Sequence, residues 1–104
     1  MSHRLEKINE LILQQLTMLI RDDFPGEIIT INFVFTNTDL SESKIYLDIA
    51  SGNDRVFTEL VANSNEYRRA LAEKLFLRKM PKLTFIRDKM QDSVDRIEKI
   101  LQSE

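Results

Sequence analysis

The sequence contains very few of the residues that interrupt regular secondary structure. Glycine and proline contribute two residues each to a chain of 104, at Pro25-Gly26, Gly52 and Pro81. Because these residue types together normally make up about 12% of a protein, the chain favours long helices and strands joined by short connections. The same scarcity argues against Gly- and Pro-rich β-sandwiches, collagen and flexible linkers.

The length and composition indicate one globular domain, which we expect to span residues 1–104. Hydrophobic residues make up 42% of the chain and charged residues 31%, which is typical of a protein that folds around its own core. Cysteine is absent and His3 is the sole histidine. This excludes thiol nucleophiles and cysteine zinc sites and disfavours a histidine base in a shaped pocket. We therefore expect no enzyme activity, no cofactor and no small-molecule substrate.

Targeting and membrane signals are also missing from the sequence. No apolar run approaches the roughly 18–20 residues that a membrane helix needs. Residues 1–7 carry mixed charge and lack the apolar core of a signal peptide. Together with the absence of cysteine, these features predict a cytoplasmic protein, which we expect to be a monomer.

The first half of the chain predicts a helix followed by a β-hairpin. Apolar residues recur at three- and four-residue spacing between Arg4 and Arg21, and Pro25 blocks further helix. Two alternating segments follow, and the short polar loop between them favours antiparallel pairing. Tyr46 lies on the polar side of the second strand, where cross-strand packing is a more common role than base stacking. The side chains predicted to turn inward are Ile29, Ile31, Phe33, Phe35, Ile45, Leu47 and Ile49.

Two further helices are predicted to meet at a bend. Helical spacing resumes after Gly52 and is interrupted at Asn63, Ser64 and Asn65. Asn63 and Glu66 have the spacing of a capping box. Asn65 is a residue type that tolerates a left-handed backbone, so it could supply the twist of the bend.

A strand and a last helix complete the predicted order. Residues 83–87 are typical of a strand that starts just after Pro81. Residues 90–101 carry one apolar stripe at helical spacing, formed by Met90, Val94, Ile97 and Leu101. The complete order is helix, strand, strand, helix, kink, helix, strand and C-terminal helix.

Positive charge is concentrated in one stretch, which we call the basic segment. It runs from Arg68 to Lys89 and has a net charge of +6, whereas the whole chain carries −2. Such a stretch is a candidate contact for the phosphates of RNA. Its cations are Arg68, Arg69, Lys74, Arg78, Lys79, Lys82, Arg87 and Lys89.

Structural interpretations of the same residues stay open at this point. The cations could form a solvated face, with Arg69 and Glu73 as an ordinary helix pair. The acidic remainder of the chain could instead bind a basic partner, which would make the domain a non-catalytic protein-interaction module. Turn formation and capping explain Asp39 and Asp88 without a metal ion, and we expect no metal site.

Several segments resemble one protein family. Residues 77–88, LRKMPKLTFIRD, resemble the Leu-Arg-x-x-Pro-x-Leu-x-Phe-x-x-Asp signature of bacterial ribosome-binding factor A. Residues 39–46, DLSESKIY, are similar to its hairpin segment, and residues 67–72, YRRALA, to the opening of its second long helix. The opening RLEKI at residues 4–8 is similar to its first helix. The resemblance covers nearly the whole chain.

This resemblance implies both a fold and a function. The implied fold is α+β: a K-homology domain of the second topological type, with helices on one face of a three-stranded sheet. The implied function is assembly of the ribosome, through binding to the maturing small (30S) subunit and its 16S ribosomal RNA. Assistance in late maturation and RNA processing, and a link to growth in the cold, come with the family.

The chain departs from the family at the kink. Ordinary K-homology domains clamp nucleic acid with a Gly-x-x-Gly loop, and the family is similar in having an Ala-x-Gly kink instead. Here the matching positions are Asn63, Ser64 and Asn65, without glycine. The sequence therefore excludes the ordinary clamp loop and leaves the bend angle and the RNA contacts there open.

Overall fold

The computed structural model describes residues 3–88. Within them, the predicted order of helices and strands is confirmed. The predicted helix over residues 90–101 and the predicted RNA contact at Lys89 lie outside the described residues. The elements are α1 (His3–Asp23), β1 (Ile29–Thr36), β2 (Glu42–Ile49), α2 (Asp54–Ala62), α3 (Ser64–Leu75) and β3 (Lys82–Arg87).

The three strands form one sheet in the order β1-β2-β3. β1 and β2 are antiparallel, as the short loop between them predicts. β3 runs parallel to β2, so the chain has to cross over between them, and α2 and α3 make that crossover. The predicted α+β class, a three-stranded sheet with helices on one face, is confirmed.

The core lies between the helices and one face of the sheet. The stripe of α1 that contacts it consists of Ile8, Ile12, Leu16 and Ile20, spaced at four residues. Alternate residues of the strands meet this stripe, because successive side chains of a strand point to opposite faces. Residues that are completely buried in this core include Ile12, Leu16, Ile45, Leu47, Leu60 and Leu71.

A β-bulge in β1 makes part of the predicted core wrong. The register of β1 against β2 shifts between Ile31 and Phe33, so the alternation reverses along the strand. Val34 and Thr36 are buried, whereas Phe33 and Phe35 are only half-buried and lie outside the core cluster.

The residues displaced by the bulge have defined contacts. The ring of Phe33 packs against that of Tyr46 at 5.9 Å between centroids, which confirms cross-strand packing for Tyr46. Thr36 Oγ1 donates to Asn9 Oδ1 at 2.6 Å and is hydrogen-bonded to Ser43 Oγ at 2.7 Å. These bonds satisfy the polar side chains that the shifted register buries.

Candidate nucleic-acid interface

The predicted bend between α2 and α3 is present and is centred on Asn63. This residue closes α2, because its N–H donates to the carbonyl oxygens of Glu59 and Leu60 at 3.1 and 3.2 Å. It also opens α3, because its own carbonyl accepts the N–H of Tyr67 at 3.0 Å. One residue with φ −90° and ψ 6° therefore separates the two helices.

Two predictions about this bend are wrong. The capping box does not form, since the side chain of Asn63 makes no capping hydrogen bond at the start of α3. Asn65 does not adopt a left-handed backbone; it lies with Ser64 in the first turn of α3. The bend uses φ/ψ values open to residues other than glycine, which is how the chain folds here without one.

The position of α3 is set by the buried side of the helix. Leu71 is completely buried, and Tyr67 is 3% exposed. The Tyr67 hydroxyl donates to Asp23 Oδ2 at 2.7 Å, which joins α3 to the end of α1. Burial and the Asp23 carboxylate raise the pKa of Tyr67 above its usual range.

The connection between α3 and β3 is fixed at both ends. At its start, the Phe76 N–H donates to Ala72 O at 3.2 Å. At its finish, Met80 and Pro81 are buried and the Lys82 N–H donates to Ser41 O at 3.0 Å. Residues 76–81 therefore have a defined path over the surface.

Arg68 contributes to this fixation from the exposed side of α3. Its Nε and Nη2 atoms both donate to Met80 O, at 3.2 and 2.8 Å. Because the two donors of the guanidinium share one carbonyl oxygen, Arg68 ties the helix to the connection. The structure therefore gives this predicted RNA-contacting residue a role within the protein itself.

Five other predicted contacts form what we call the basic cluster. All are exposed, and none makes an ion pair within residues 3–88. The alternative pairing of Arg69 with Glu73 is not formed. Two of the five lie on α3, two in the connection that follows it, and the fifth is the first residue of β3. They are Arg69, Lys74, Arg78, Lys79 and Lys82.

Arg87 lies away from the basic cluster. It ends β3, about 16 Å along the strand from Lys82 at roughly 3.3 Å per residue. Its guanidinium forms an ion pair with Asp54 and lies 5.7 Å from the centre of the Phe57 ring. The basic segment is thus divided by the fold, and Arg87 supports the packing of α2 on β3.

A carboxylate lies near the basic cluster, in the loop between β1 and β2. Asp39 Oδ1 accepts the Ser41 N–H at 3.1 Å, which is the turn predicted for this residue. Hydrogen bonds from Ser41 hold the pKa of Asp39 below its usual value, and the charge of Lys79 adds to this effect. Within residues 3–88, no three His, Asp or Glu side chains converge on a point that could hold a metal ion.

An open cleft of about 490 Å³ adjoins the basic cluster. It is lined by Asn65, Arg68 and Arg69 from α3 and by Met80 from the connection. Arg68 is bound to Met80, so Arg69 is the charged side chain of this lining with no partner inside residues 3–88. An anionic group of the size of a phosphate would meet the Arg69 guanidinium and the side-chain amide of Asn65 there.

The structure also reveals a surface residue that the sequence analysis did not single out. Phe76 follows the last turn of α3 and is 91% exposed, with φ 53° and ψ 36°. In the sequence it stands between Leu75 and Leu77 and reads as part of an apolar run. The available signal was its position at a helix end next to several cations, where a bulky apolar residue is unusual.

The fold and the site together define a class of protein. A three-stranded sheet covered on one face, a bent helix pair without a glycine clamp and an exposed basic connection define a K-homology-like domain of the second topological type. Such a domain offers cations to a phosphate backbone.

Comparison with known proteins identifies the family. Residues 4–101 match the family described as ribosome-binding factor A. The chain is 33% identical to ribosome-binding factor A of Chlorobium phaeobacteroides, over 97% of this chain and 93% of that protein. It is 34% identical to that of Ruthia magnifica, over 96% and 93% respectively. The chain belongs to the ribosome-binding factor A family.

Solved structures show the same fold. The crystal structure of ribosome-binding factor A from Thermus thermophilus superposes with a TM-score of 0.72 at 18% identity, over 80% of this chain and 94% of that one. A homology model of the Thermus thermophilus protein, fitted into a cryo-EM map of its complex with 30S, gives a TM-score of 0.66 at 18% identity. That likeness covers 84% of this chain and 93% of the other.

The described helices include none that is both long and apolar enough to span a membrane.

Proposed function

We propose that this chain is a non-catalytic assembly factor that binds the maturing small (30S) ribosomal subunit and its 16S ribosomal RNA in the cytoplasm. The observation that carries the proposal is the basic cluster, whose cations are exposed and unpaired within residues 3–88. Family membership supports the choice of partner, because a relative of the same fold has been placed in a map of a 30S complex.

The proposed mechanism is binding alone. The basic cluster contacts phosphates along a connection that is fixed at both ends, so little ordering is required on association. Occupancy favours one conformation of the ribosomal RNA during late maturation and processing. The protein leaves when maturation changes its site.

The experiment is co-sedimentation with purified small subunits over a series of salt concentrations. We expect binding that weakens steeply with salt, because bound cations displace counterions from RNA. The variant Arg78→Glu/Lys82→Glu should abolish binding while its thermal stability stays close to that of the wild type.

A matched control carries the same change of charge at another place. Lys7→Glu/Arg21→Glu alters two exposed cations of α1 and should retain most of the binding. Loss of binding in both variants would indicate an effect of net charge alone. Salt-resistant binding to a ribosomal protein without affinity for RNA would favour the protein-interaction alternative.

A further inference from the structure

We propose that Phe76 is a stacking platform for an unpaired nucleobase, so that the basic cluster and the ring together hold a single-stranded RNA segment. The proposal rests on the proposed function and adds to it the kind of RNA that is bound. The ring is 91% exposed, which is the highest value among the large hydrophobic side chains of the described residues.

The exposure of Phe76 is imposed by its neighbours. Leu75 and Leu77 are partly buried and pack against the core cluster on either side of it. The left-handed backbone of Phe76 ends α3 between them, and its N–H stays bonded to Ala72 O. The ring is therefore held out from a fixed point of the backbone.

A comparison within the chain shows that this arrangement is unusual. Leu40 also has a positive φ, of 61°, but its side chain packs against the core. Phe76 has the same disfavoured backbone, but its apolar side chain lies in water and, unlike that of Leu40, does not pack against the core. Such combinations are retained chiefly where they serve a function.

The surroundings of Phe76 indicate the ligand. Lys74, Arg78 and Lys79 lie within three residues of it and are all exposed. An aromatic face among cations is the usual composition of a single-strand binding surface, because bases stack on the ring while phosphates meet the charges. The other exposed large hydrophobic residues of the described chain, Met18, Ile28 and Val61, have no aromatic face.

The first arm of the test separates binding from stability at residue 76. Phe76→Gly removes the ring and relieves the positive φ, so the variant should melt at the same temperature as the wild type or higher. Its affinity for small subunits should fall about 5- to 150-fold, since one stacked base contributes roughly 1–3 kcal/mol. Met18→Ala, which removes an exposed apolar side chain from α1, should bind like the wild type.

The second arm uses a fluorescent reporter. The chain contains no tryptophan, so Phe76→Trp introduces one indole at the proposed platform. Short single-stranded RNA of mixed sequence should quench the indole fluorescence, and duplex RNA of equal length should quench it far less. This variant should also bind small subunits like the wild type, because an indole stacks at least as well as a phenyl ring.

Each outcome decides the proposal. Binding of Phe76→Gly within twofold of the wild type would overturn it. Loss of subunit binding in Phe76→Gly, with an indole in Phe76→Trp that single strands do not quench, would also overturn it and indicate a protein contact. If the wild type does not bind small subunits at all, the proposed function fails, and the fluorescence arm alone decides the role of Phe76.

Discussion

α3 begins and ends at positions where this chain bends without glycine, and the two ends differ in how they do so. At the first end, Asn63 has φ −90°, its N–H and C=O are both bonded, and its half-buried side chain stays beside the helices. At the second end, Phe76 has φ 53° and an exposed ring. The bend at Asn63 is made without a left-handed residue, whereas α3 ends with one at Phe76. The second end thus retains a disfavoured backbone together with an exposed aromatic ring.

The largest expected effect on stability comes from truncating the buried side chain that holds α3, and so both of its ends, against the core. Leu71 lies between them and is completely buried, so Leu71→Ala should lower the free energy of unfolding by about 2–5 kcal/mol through lost burial and a cavity. Urea denaturation measures this loss. Lys74→Ala on the same helix is the control and should change stability by no more than about 0.5 kcal/mol. An equal loss in both variants would mean that the packing of α3 does not depend on Leu71.

The next effect concerns the connection that follows the second end. Arg68→Ala removes both hydrogen bonds to Met80 O and should lower the free energy of unfolding by about 1–2 kcal/mol, because the bonds are charge-assisted but exposed. Arg69→Ala removes a neighbouring cation that makes no such bond and should have little effect on stability. A smaller loss for Arg68→Ala than for Arg69→Ala would contradict the role of Arg68 as a tie.

A third measurement examines the first end through Tyr67. Tyr67→Phe removes the bond to Asp23 and should cost about 1 kcal/mol near neutral pH. Because the pKa of Tyr67 is raised in the folded protein, the protonated phenol stabilises the fold fully below the unfolded pKa of about 10, and this contribution is lost as the pH rises above it. Melting temperatures measured from about pH 8 to about pH 11 should show the two proteins converging. A constant difference would contradict the assignment.

The smallest expected effects are the changes in the free energy of unfolding when glycine replaces the residue at each end of α3. Phe76→Gly should raise the free energy of unfolding by about 0.5–1 kcal/mol, since relief of the left-handed backbone exceeds the entropy that glycine adds to the unfolded chain. Asn63→Gly should lower it by at least about 0.4–1 kcal/mol, because glycine adds backbone entropy to the unfolded chain without relieving any strain at a negative φ, and the contact of the Asn63 side chain with Tyr67 is lost as well. Chemical denaturation of both variants gives the sign of each change in the free energy of unfolding. Changes of the same sign in both variants would contradict the difference between the two ends of α3.

The sequence predicts the elements of this fold well because their signals are local. The spacing of apolar residues in α1, the short loop of the hairpin and Pro81 before β3 each act within a few residues. The bulge in β1 is a different kind of feature, since it depends on how β1 pairs with β2. For that reason Phe33 and Phe35 were wrongly expected in the core, and the burial of Thr36 was not predicted.

In the candidate site, too, local features could be predicted from the sequence, whereas contacts between distant residues could not. The basic segment is visible in the sequence, but its division is not, because Arg68 meets Met80 and Arg87 meets Asp54 only in three dimensions. The capping box at Asn63 does not form, and the Asn63 N–H that a Glu66 side chain would accept is already bonded to carbonyls of α2. RNA contact by the basic cluster remains a prediction until the binding experiments are done.

The parallel pairing of β3 with β2 determines when, during folding, the surface that carries Phe76 and the basic cluster forms. The connection that carries Phe76 and the basic cluster is fixed on one side by α3 and on the other by the bond from Lys82 to Ser41 in the hairpin. The second of these exists only after the crossover is complete and β3 has joined the sheet. A nascent or partly unfolded chain therefore cannot display the surface in its native form, and we expect the proposed RNA contact to require molecules that have finished folding.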